Sequence, residues 1–483
     1  MTSRRFALLA TVNLAAWCFV LERLLQHHYY GLFHPALLGQ AFNSMAEHLA
    51  AGRFDIDPDT LGAEVFEVDG RTISYFGVFC ALLRLPLLAF PDFKWLDITR
   101  LSCLAAICLG AWFQLRAVLL VRDASPAGAR RVWLTAAFVA CILLGGQQIQ
   151  FLRSSLYQEV VDWGNALAMG FVFLAIRGLS RGFDVRTLTG MAVFAGLALL
   201  DRVSVGLGLY AALGGVLLLR WRLAFWPALV LAAFVVATGV VNYGRWGNPM
   251  VFADFTKYAL DQDQTPDRLV RLAEYGAFNW RRIGLGLSYY FLPVWSLIRP
   301  DGYMLFAEAR SRLVDVMELP PGSFFLSDPL LLGLAFSPVI LGLNPRRASA
   351  KVGASGGPWV NPRIESEDED DGFGWPAVAL LAGLSIPPIL MLTAISMAYR
   401  YREEFYPLFV FAALLGFRGL CRVPSGFGRK ARVAIVTAVI VSVLVSHGMA
   451  ALYAVSPWGP ADGYIEKQGW IGTYAPRLRA GHD

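Results

Sequence analysis

The chain has 483 residues, of which 56% are hydrophobic and only 16% are charged, and its mean hydropathy is +0.51. Soluble globular chains carry about a quarter charged residues, so a soluble enzyme is excluded. The apolar residues form blocks of about 15 to 24 residues separated by short Arg-rich or acidic connectors, the pattern of a polytopic membrane protein. Because lipid requires every backbone polar group to be satisfied internally, and because continuous apolar runs lack the alternation of barrel strands, the predicted fold class is all-α.

The net charge of +6 comes mainly from arginines scattered between the apolar blocks. Such arginines set membrane topology, and the sequence has no basic stripe typical of a nucleic-acid surface, so we expect no nucleic-acid partner. The six cysteines show no CxxC spacing, which argues against a disulfide framework and a zinc site. The apolar run from Phe6 to Leu21 lacks a small-residue cleavage site, and we interpret it as a signal anchor.

Eleven apolar blocks are predicted to span the membrane. They run near residues 6–22, 98–121, 132–150, 163–178, 187–200, 203–219, 223–243, 329–343, 375–398, 405–420 and 432–452. Two further blocks, 73–90 and 283–298, contain Arg84 and Pro86 in the first case and two glycines and Pro293 in the second. We expect both to lie at the outer interface, or to enter the membrane and return on the same side.

The positive-inside rule gives one consistent orientation for these spans. When 73–90 and 283–298 do not cross, every Arg-rich connector falls on the cytoplasmic side, together with Arg4 and Arg5. The N-terminus is then inside and the C-terminus outside. The polar loops that could carry chemistry therefore all face the extracytoplasmic side.

This orientation divides the chain into four parts. They are a seven-span module at 1–243 with its first outer loop at 23–97, an extracytoplasmic segment at 244–328, C-terminal spans at 329–452, and an outer tail at 453–483. The stretch 345–374 contains several glycines and an acidic run from Glu365 to Asp371. This composition predicts a disordered cytoplasmic linker, because like charges repel one another and little apolar surface is available to bury.

Carboxylates alternate at the centre of the first outer loop, at Asp55, Asp57 and Asp59. In extended backbone they project from one side of the chain, which suits a general base or a cation site. The alternative is a solvated acidic loop in which Asp and Pro form turns. Further acidic candidates follow at Glu64, Glu67 and Asp69.

The second outer loop, 151–162, carries charge close to the membrane. Arg153 stands near its start, and Glu159 and Asp162 are three residues apart, so they share a face if this segment is helical. Arg202 interrupts an otherwise apolar stretch in a similar way. Charges this close to hydrocarbon are costly unless they bind substrate or pair with one another, and both interpretations remain open.

The third cluster, Tyr399-Arg400-Tyr401-Arg402-Glu403-Glu404, lies at the predicted outer end of a span. Positive charge there opposes the topology preference, so an anionic ligand would explain it. Two arginines that are two residues apart can fork onto phosphate oxygens while the tyrosine rings line the pocket. We predict that Tyr399, Arg400 and Arg402 bind substrate, and a simple Arg–Glu girdle is the alternative.

The order of these features resembles the multispanning glycosyltransferases of the GT-C fold, a class that includes protein O-mannosyltransferases and lipid A aminoarabinose transferases. The stretches GRTISYFGVFCALLRLPLL, NYGRWGNPMVF and YRYREEFYPLF are also similar to a group of bacterial membrane proteins described as glycosyltransferases. The resemblance covers residues 1–243 as a shared module and 244–452 more loosely. This chain has Gln40 and Asn43 where many of those relatives carry an acidic residue.

The resemblance implies a membrane enzyme that transfers a sugar from a polyprenyl-phosphate donor to a glycan, lipid or protein acceptor. The active site would face the extracytoplasmic side of the bacterial inner (plasma) membrane, in contact with membrane lipids. Asp55 or Asp57 would serve the acceptor, and Glu159 or Asp162 would supply a second acidic group. The residues that hold the donor phosphate would be Arg202, Arg400 and Arg402.

A cofactor is not required by this chemistry, which needs one base and cations that stabilise the leaving phosphate. The alternative is a divalent cation held by Asp55 or Asp57 together with Glu159. The alternative function is a membrane transporter or lipid flippase. A carrier is expected to bury ionisable residues at the midpoints of its spans, whereas here they cluster at the predicted outer ends, which favours an enzyme.

We expect Ser125→Cys, in the connector 122–131, to react with a membrane-impermeant thiol reagent only after the cells are permeabilised. This connector is cytoplasmic only when 73–90 does not cross the membrane. Asp59→Cys, in the first outer loop, is the matched control and should react in intact cells. Labelling of Ser125→Cys in intact cells would show that 73–90 spans.

Overall fold

The computed structural model describes residues 32–124, 132–151, 154–259, 266–293, 307–315, 322–340, 374–422 and 428–455. These ranges are almost entirely helical and contain one two-stranded sheet. The predicted all-α class is therefore confirmed. The first apolar block, Arg153, most of the linker 345–374 and most of the tail 453–483 lie outside the described residues.

The region predicted as the first outer loop contains short elements only. They are α1 (Ala41–Ala50), β1 (Phe66–Val68), β2 (Arg71–Ile73) and α2 (Phe79–Arg84), with 3-10 helices at Pro58–Thr60, Gly62–Glu64, Leu85–Ala89 and Phe93–Trp95. Within the block 73–90, the helix Phe79–Ala89 is α-helical to Arg84 and 3-10 thereafter, and it is shorter than the helices of 18 or more residues that can cross a bilayer. That this block does not cross the membrane stays a prediction.

Long helices follow from residue 99 onward. They are α3 (Thr99–Asp123), α4 (Val132–Leu144) continued by a 3-10 helix (Gly146–Phe151), α5 (Leu156–Arg181), α6 (Val185–Asp201), α7 (Val203–Leu219) and, after a 3-10 turn at Trp221–Leu223, α8 (Phe225–Trp246). Ser155 caps α5 by accepting a hydrogen bond from the Gln158 amide, and Asp184 caps α6 in the same way.

The remaining elements are shorter until the last three spans. They are a 3-10 turn (Phe255–Lys257), α9 (Pro266–Tyr275), a 3-10 turn (Trp280–Arg282), α10 (Ile283–Phe291), α11 (Ala307–Leu313), α12 (Phe324–Ser327), α13 (Pro329–Ile340), α14 (Trp375–Leu384), α15 (Ile386–Thr393), a 3-10 helix (Tyr399–Phe405), α16 (Tyr406–Arg422) and α17 (Arg429–Val455). α10 ends at Phe291, so the described part of block 283–298 is also short.

Seven helices of the described chain are long and apolar enough to cross a membrane. They are Thr99–Asp123, Val132–Phe151, Leu156–Arg181, Phe225–Trp246, Trp375–Thr393, Tyr399–Cys421 and Arg429–Met449. Three more of the eleven predicted spans are helical but shorter, because α6 and α7 have 17 residues each and the described part of α13 has 12. The part of the chain that the structure describes thus has the helices of a multi-pass membrane protein. The four-part division of the chain stays a prediction.

The bundle is built by close helix pairs, with α3 along α5, α6 against α5, α7 and α8, and α13 against α16. Small residues permit one of these approaches, that of α13 to α16, and also the close pair of α14 and α7. A Cβ atom at Gly383 would overlap the backbone of Ala212, where α14 crosses α7, and one at Gly416 would overlap the Leu334 carbonyl of α13. Contact between backbones at small residues is the usual basis of helix association in lipid, where no hydrophobic force drives it.

A β-hairpin lies in the first-loop region and contacts the segment that follows α8. β1 and β2 pair antiparallel with Phe66 opposite Ile73, and the turn residues Asp69 and Gly70 both have positive φ, as a two-residue hairpin turn requires. Phe66 stacks on Tyr258 with ring centroids 4.7 Å apart, so the hairpin docks on the segment that follows α8. The first-loop region therefore contains an ordered hairpin where the sequence analysis predicted only a loop.

A buried ion pair joins the first-loop region to the bundle. Arg84, at the end of α2, donates from Nη2 to both carboxylate oxygens of Glu159 in α5 at 2.7 Å, and both side chains are buried. Arg84 Nη1 also donates to Asn43 Oδ1 in α1 at 2.7 Å. One guanidinium therefore ties α1, α2 and α5 together.

We expect Arg84→Met to lower the free energy of unfolding by about 3–5 kcal/mol, because it leaves the Glu159 charge buried without its partner. The double variant Arg84→Met/Glu159→Leu should recover most of that loss, since it removes both charges. Thermal unfolding in detergent micelles measures the change. Arg53→Met is the control: Arg53 pairs with Asp55 at an exposed position, so its loss should cost less than about 1 kcal/mol. A double variant no more stable than Arg84→Met would contradict the ion-pair account.

Candidate active site

One end of the helix bundle encloses a cavity of about 950 Å³. Its wall is formed by first-loop residues 61–64 and 75–78, the start of α5, the turn between α6 and α7, the last turns of α8, and residues 390–401. Most of the lining is apolar, with a small set of arginine, tyrosine and carboxylate side chains. This is the composition of a ligand pocket, in which apolar walls give area and a few polar groups give orientation.

Two of the predicted phosphate-binding arginines meet in this cavity. Arg202 and Arg400 both lie over the ring of Tyr401, each with its guanidinium carbon 5.2 Å from the ring centroid. Arg400 also lies over the ring of Tyr157, at 4.8 Å. Such distances allow attraction between the cation and the π system, so the rings hold both guanidinium groups in place.

A buried carboxylate orients Arg202. Its Nε donates to Glu404 Oε1 at 2.5 Å, and Nη2 forms an ion pair with the same oxygen. Glu404 is buried, whereas 19% of the Arg202 side chain is exposed. Arg202 is therefore anchored on one side while its other side contributes to the cavity wall.

Glu64 is a carboxylate of the cavity wall. It ends the 3-10 turn Gly62–Glu64, is partly exposed, and accepts a hydrogen bond from the Tyr258 hydroxyl. Burial, reinforced by the Glu64 charge, raises the pKa of Tyr258 far above its usual range, so this phenol stays a hydrogen-bond donor. Tyr258 and the docked hairpin thus hold one oriented carboxylate at the cavity.

Asp55 and Asp57 do not line this cavity. Both contact His48, Asp55 at 2.9 Å from Nδ1 and Asp57 at 3.3 Å from Nε2, and Asp57 also pairs with Lys94 at 3.2 Å. Burial raises the pKa of Asp55, but the hydrogen bond and charge of His48 outweigh it, and the net pKa lies below its usual value. The pKa of Asp57 is lowered too, since Lys94 and Ser44 outweigh burial. A carboxylate with a lowered pKa is a weaker base.

The acidic residues of the second loop also lie away from the cavity lining. Glu159 is held by Arg84, and Asp162 is buried in α5 one turn further along. Asn43, which stands where many relatives carry an acid, donates from Nδ2 to the carbonyls of Phe93 and Leu96 while its oxygen accepts from Arg84. An ionised carboxylate could not donate to those carbonyls, so these hydrogen bonds explain why an asparagine stands at position 43.

Arg402 and Tyr399 point away from Arg400 and the cavity. Arg402 is fully buried, 3.1 Å from Asp328 through Nη2, and donates from Nη1 to the Tyr399 hydroxyl at 2.8 Å. The predicted fork of two arginines two residues apart does not form, because residues 399–405 are a 3-10 helix. With three residues per turn, neighbours two apart point to different sides.

The site also contains residues to which the sequence analysis assigned no role. Glu64 was an acidic candidate without an assignment, and Tyr258, Arg245 and Arg268 were not proposed as site residues. The Asp69-Gly70 pair between two alternating segments is a hairpin signal that could have located Glu64 near an ordered element. Among the described residues, no group of three His, Cys, Asp or Glu side chains is placed to hold a metal ion.

No protein-family model matches the chain, and no curated protein matches its sequence. Among solved structures, it is similar to the archaeal oligosaccharyltransferase AglB from Archaeoglobus fulgidus in complex with an inhibitory peptide and a dolichol-phosphate, at 12% identity and a TM-score of 0.42. It is also similar to the apo form of an Archaeoglobus fulgidus oligosaccharyltransferase, at 13% identity and a TM-score of 0.43. Each alignment covers 95% of this chain and 56% or 58% of the other.

The chain thus spans little more than half the length of these two proteins. Oligosaccharyltransferases of this kind are membrane glycosyltransferases of the GT-C fold, the class that the sequence motifs resemble. A similarity of this size does not assign an activity, which depends on the side chains of the site.

We expect Arg402→Gln and Arg400→Gln to differ strongly in stability. Arg402→Gln leaves Asp328 buried without its ion pair and should lower the free energy of unfolding by about 3–5 kcal/mol. Arg400→Gln loses its contacts with Tyr157 and Tyr401 and should cost about 1–2 kcal/mol. Thermal unfolding of both purified variants provides the comparison, and equal losses would show that the two arginines do not have separate roles.

Proposed function

We propose that this protein is an integral membrane glycosyltransferase that transfers a sugar from a polyprenyl-phosphate donor to a glycan, lipid or protein acceptor. The observation that carries the proposal is that one cavity is lined by an apolar wall, two arginines and an oriented carboxylate. The apolar wall and the arginines suit an amphipathic donor with an anionic head, and the carboxylate suits the hydroxyl group of an acceptor.

The donor phosphate binds at Arg202 and Arg400 in this proposal. Guanidinium groups are suited to phosphate because their planar N–H donors match its oxygens, and charge-assisted hydrogen bonds of this kind are the stronger ones. Glu404 and Tyr401 fix the two side chains before the ligand arrives. The isoprenoid chain lies along the apolar wall contributed by residues such as Leu207 and Leu390.

Glu64 is the proposed general base. It removes the proton of the acceptor hydroxyl while the acceptor oxygen forms a bond to the anomeric carbon of the sugar. The bond from that carbon to the phosphate oxygen breaks, and the electron pair leaves with the phosphate. Arg202 and Arg400 stabilise the charge that develops on the leaving phosphate, which is where fixed donors lower a barrier most.

Asp55 and Asp57, the first-loop carboxylates predicted from the sequence, are the alternative base. Their contacts with His48 and Lys94 and their lowered pKa values favour Glu64, as does their position outside the cavity lining. The proposal retains the predicted orientation, in which the cavity opens to the extracytoplasmic side of the bacterial inner membrane. This orientation is supported by the cavity lining, because the helix ends that are predicted to face outside, at the start of α5, the α6–α7 turn, the end of α8 and residues 390–401, all contribute to one cavity.

We expect Glu64→Gln to reduce transfer from a polyprenyl-phosphate sugar by a factor of about 10² to 10⁴, the usual contribution of a general base. Binding of the donor should change little, because the amide keeps the size of the side chain. Asp55→Asn and Asp57→Asn are the matched comparisons and should retain most of the activity. Transfer is measured with purified protein and a panel of radiolabelled donors and acceptors.

Each pattern of results has a defined meaning. Loss of transfer in Asp55→Asn or Asp57→Asn but not in Glu64→Gln would show that the general base is the first-loop aspartate and not Glu64. Full activity in all three would remove carboxylate catalysis at both places. Absence of transfer by the unmodified protein across the panel, together with movement of fluorescent lipid between leaflets of proteoliposomes, would establish the transporter or flippase alternative.

A further inference from the structure

Arg245 is a buried cation of the same cavity that the proposed transfer does not use. It lies in the last turn of α8, lines the cavity, and is only 4% exposed. Its Nη1 donates to the Phe76 carbonyl at 2.8 Å, and Nη2 contacts the sulfur of Met45 at 3.5 Å. Among the described residues, its Nε has no hydrogen-bond acceptor.

No carboxylate of the described chain lies within 4.0 Å of the Arg245 guanidinium, which distinguishes it from the buried arginines Arg84 and Arg402. Arg84 is paired with Glu159, and Arg402 is paired with Asp328. Arg282 has no such partner but donates to four backbone carbonyls, those of Gly276, Ala277, Leu313 and Thr393. Arg245 has one carbonyl and one sulfur instead.

A buried charge without a counter-charge is costly, and proteins keep one where a ligand supplies the opposite charge or where the group has another function. The free edge of Arg245 consists of Nε and the weakly engaged Nη2. These two N–H groups form the side of a guanidinium that binds two oxygens of one oxyanion. The residue is therefore equipped for an anion and held at the cavity wall.

We propose that Arg245 forms a second oxyanion site in the cavity, separate from the site at Arg202 and Arg400, and that its ligand is a phosphate group. The phosphate belongs either to a lipid headgroup or to a water-soluble molecule. This site does not depend on the proposed transfer, since an anion at Arg245 would be bound whether or not a sugar is moved.

The test is isothermal titration of the full-length protein in detergent micelles with two probes, inorganic phosphate and farnesyl phosphate. Arg245→Gln should weaken binding of at least one probe by about 10- to 100-fold, the effect of losing charge-assisted hydrogen bonds. Arg281→Gln is the matched control, because Arg281 is exposed and lies outside the cavity lining. It should leave both affinities unchanged.

The stoichiometry for inorganic phosphate separates this inference from the proposed function. A fall from two bound phosphates to one in Arg245→Gln supports both the second site and the donor-phosphate site. A fall from one to none supports Arg245 alone and counts against phosphate binding at Arg202 and Arg400. Weakened binding of farnesyl phosphate only identifies a lipid headgroup, and weakened binding of inorganic phosphate identifies a water-soluble source. Unchanged binding of both probes overturns the proposal.

A second variant covers the case in which Arg245→Gln does not fold. Val241 lines the cavity one helical turn before Arg245, so Val241→Glu places a carboxylate beside the guanidinium in the favourable i, i+4 order. This built-in anion should raise the melting temperature relative to Val241→Gln and abolish phosphate binding at this site. A Val241→Glu protein that is no more stable than Val241→Gln and still binds phosphate contradicts the inference.

Discussion

The cost of placing a charge away from water organises this protein. In the described chain, arginines reach across long sequence distances to buried carboxylates, as Arg84 does to Glu159, Arg202 to Glu404, and Arg402 to Asp328. Each of these pairs connects two parts of the fold. Arg84 connects the first-loop region to α5, Arg202 connects the α6–α7 turn to residues 399–405, and Arg402 connects those residues to the start of α13. Because a lone buried charge is strongly destabilising, each arginine specifies where its loop must lie.

These ion pairs also limit which carboxylates are able to bind a substrate. A carboxylate that already accepts two hydrogen bonds from a guanidinium, as Glu159 does, has little capacity left for a substrate. In the described chain, Arg400 and Glu64 line the cavity without taking part in these three ion pairs, and the exposed side of Arg202 lines it as well. The separation of structural from chemical charges is therefore a result of geometry, and it cannot be read from residue type.

Much of the architecture could be predicted from the sequence, because hydrophobic length and Arg placement act locally. The all-α class, the positions of the apolar blocks and the short character of 73–90 all follow from such local signals. The resemblance places Arg202 and Arg400 at one site, and in the structure both lie against Tyr401. The alternation of tyrosine and arginine at a helix end indicated Arg400 but not Arg202.

The rest depended on information that sequence patterns do not carry. Partners such as Arg84 and Glu159 are 75 residues apart, so only the fold reveals the pair. Arg400 and Arg402 looked equivalent because their spacing was interpreted without the 3-10 period, which sends them to different sides. Glu64 was an acidic candidate without an assigned role, because the neighbouring hairpin was taken for a loop despite its Asp-Gly turn.

The docking of that hairpin has a further consequence. Glu64 belongs to the first-loop region, which is held by aromatic stacking of Phe66 on Tyr258, whereas Arg202 and Arg400 belong to helix ends of the bundle. The carboxylate and the cations therefore reach the cavity on separately supported parts of the fold. Under the proposed function, sequence change in the hairpin would alter the surroundings of the carboxylate while the arginines keep their positions, so one membrane scaffold would serve different acceptors with the same anionic donor group.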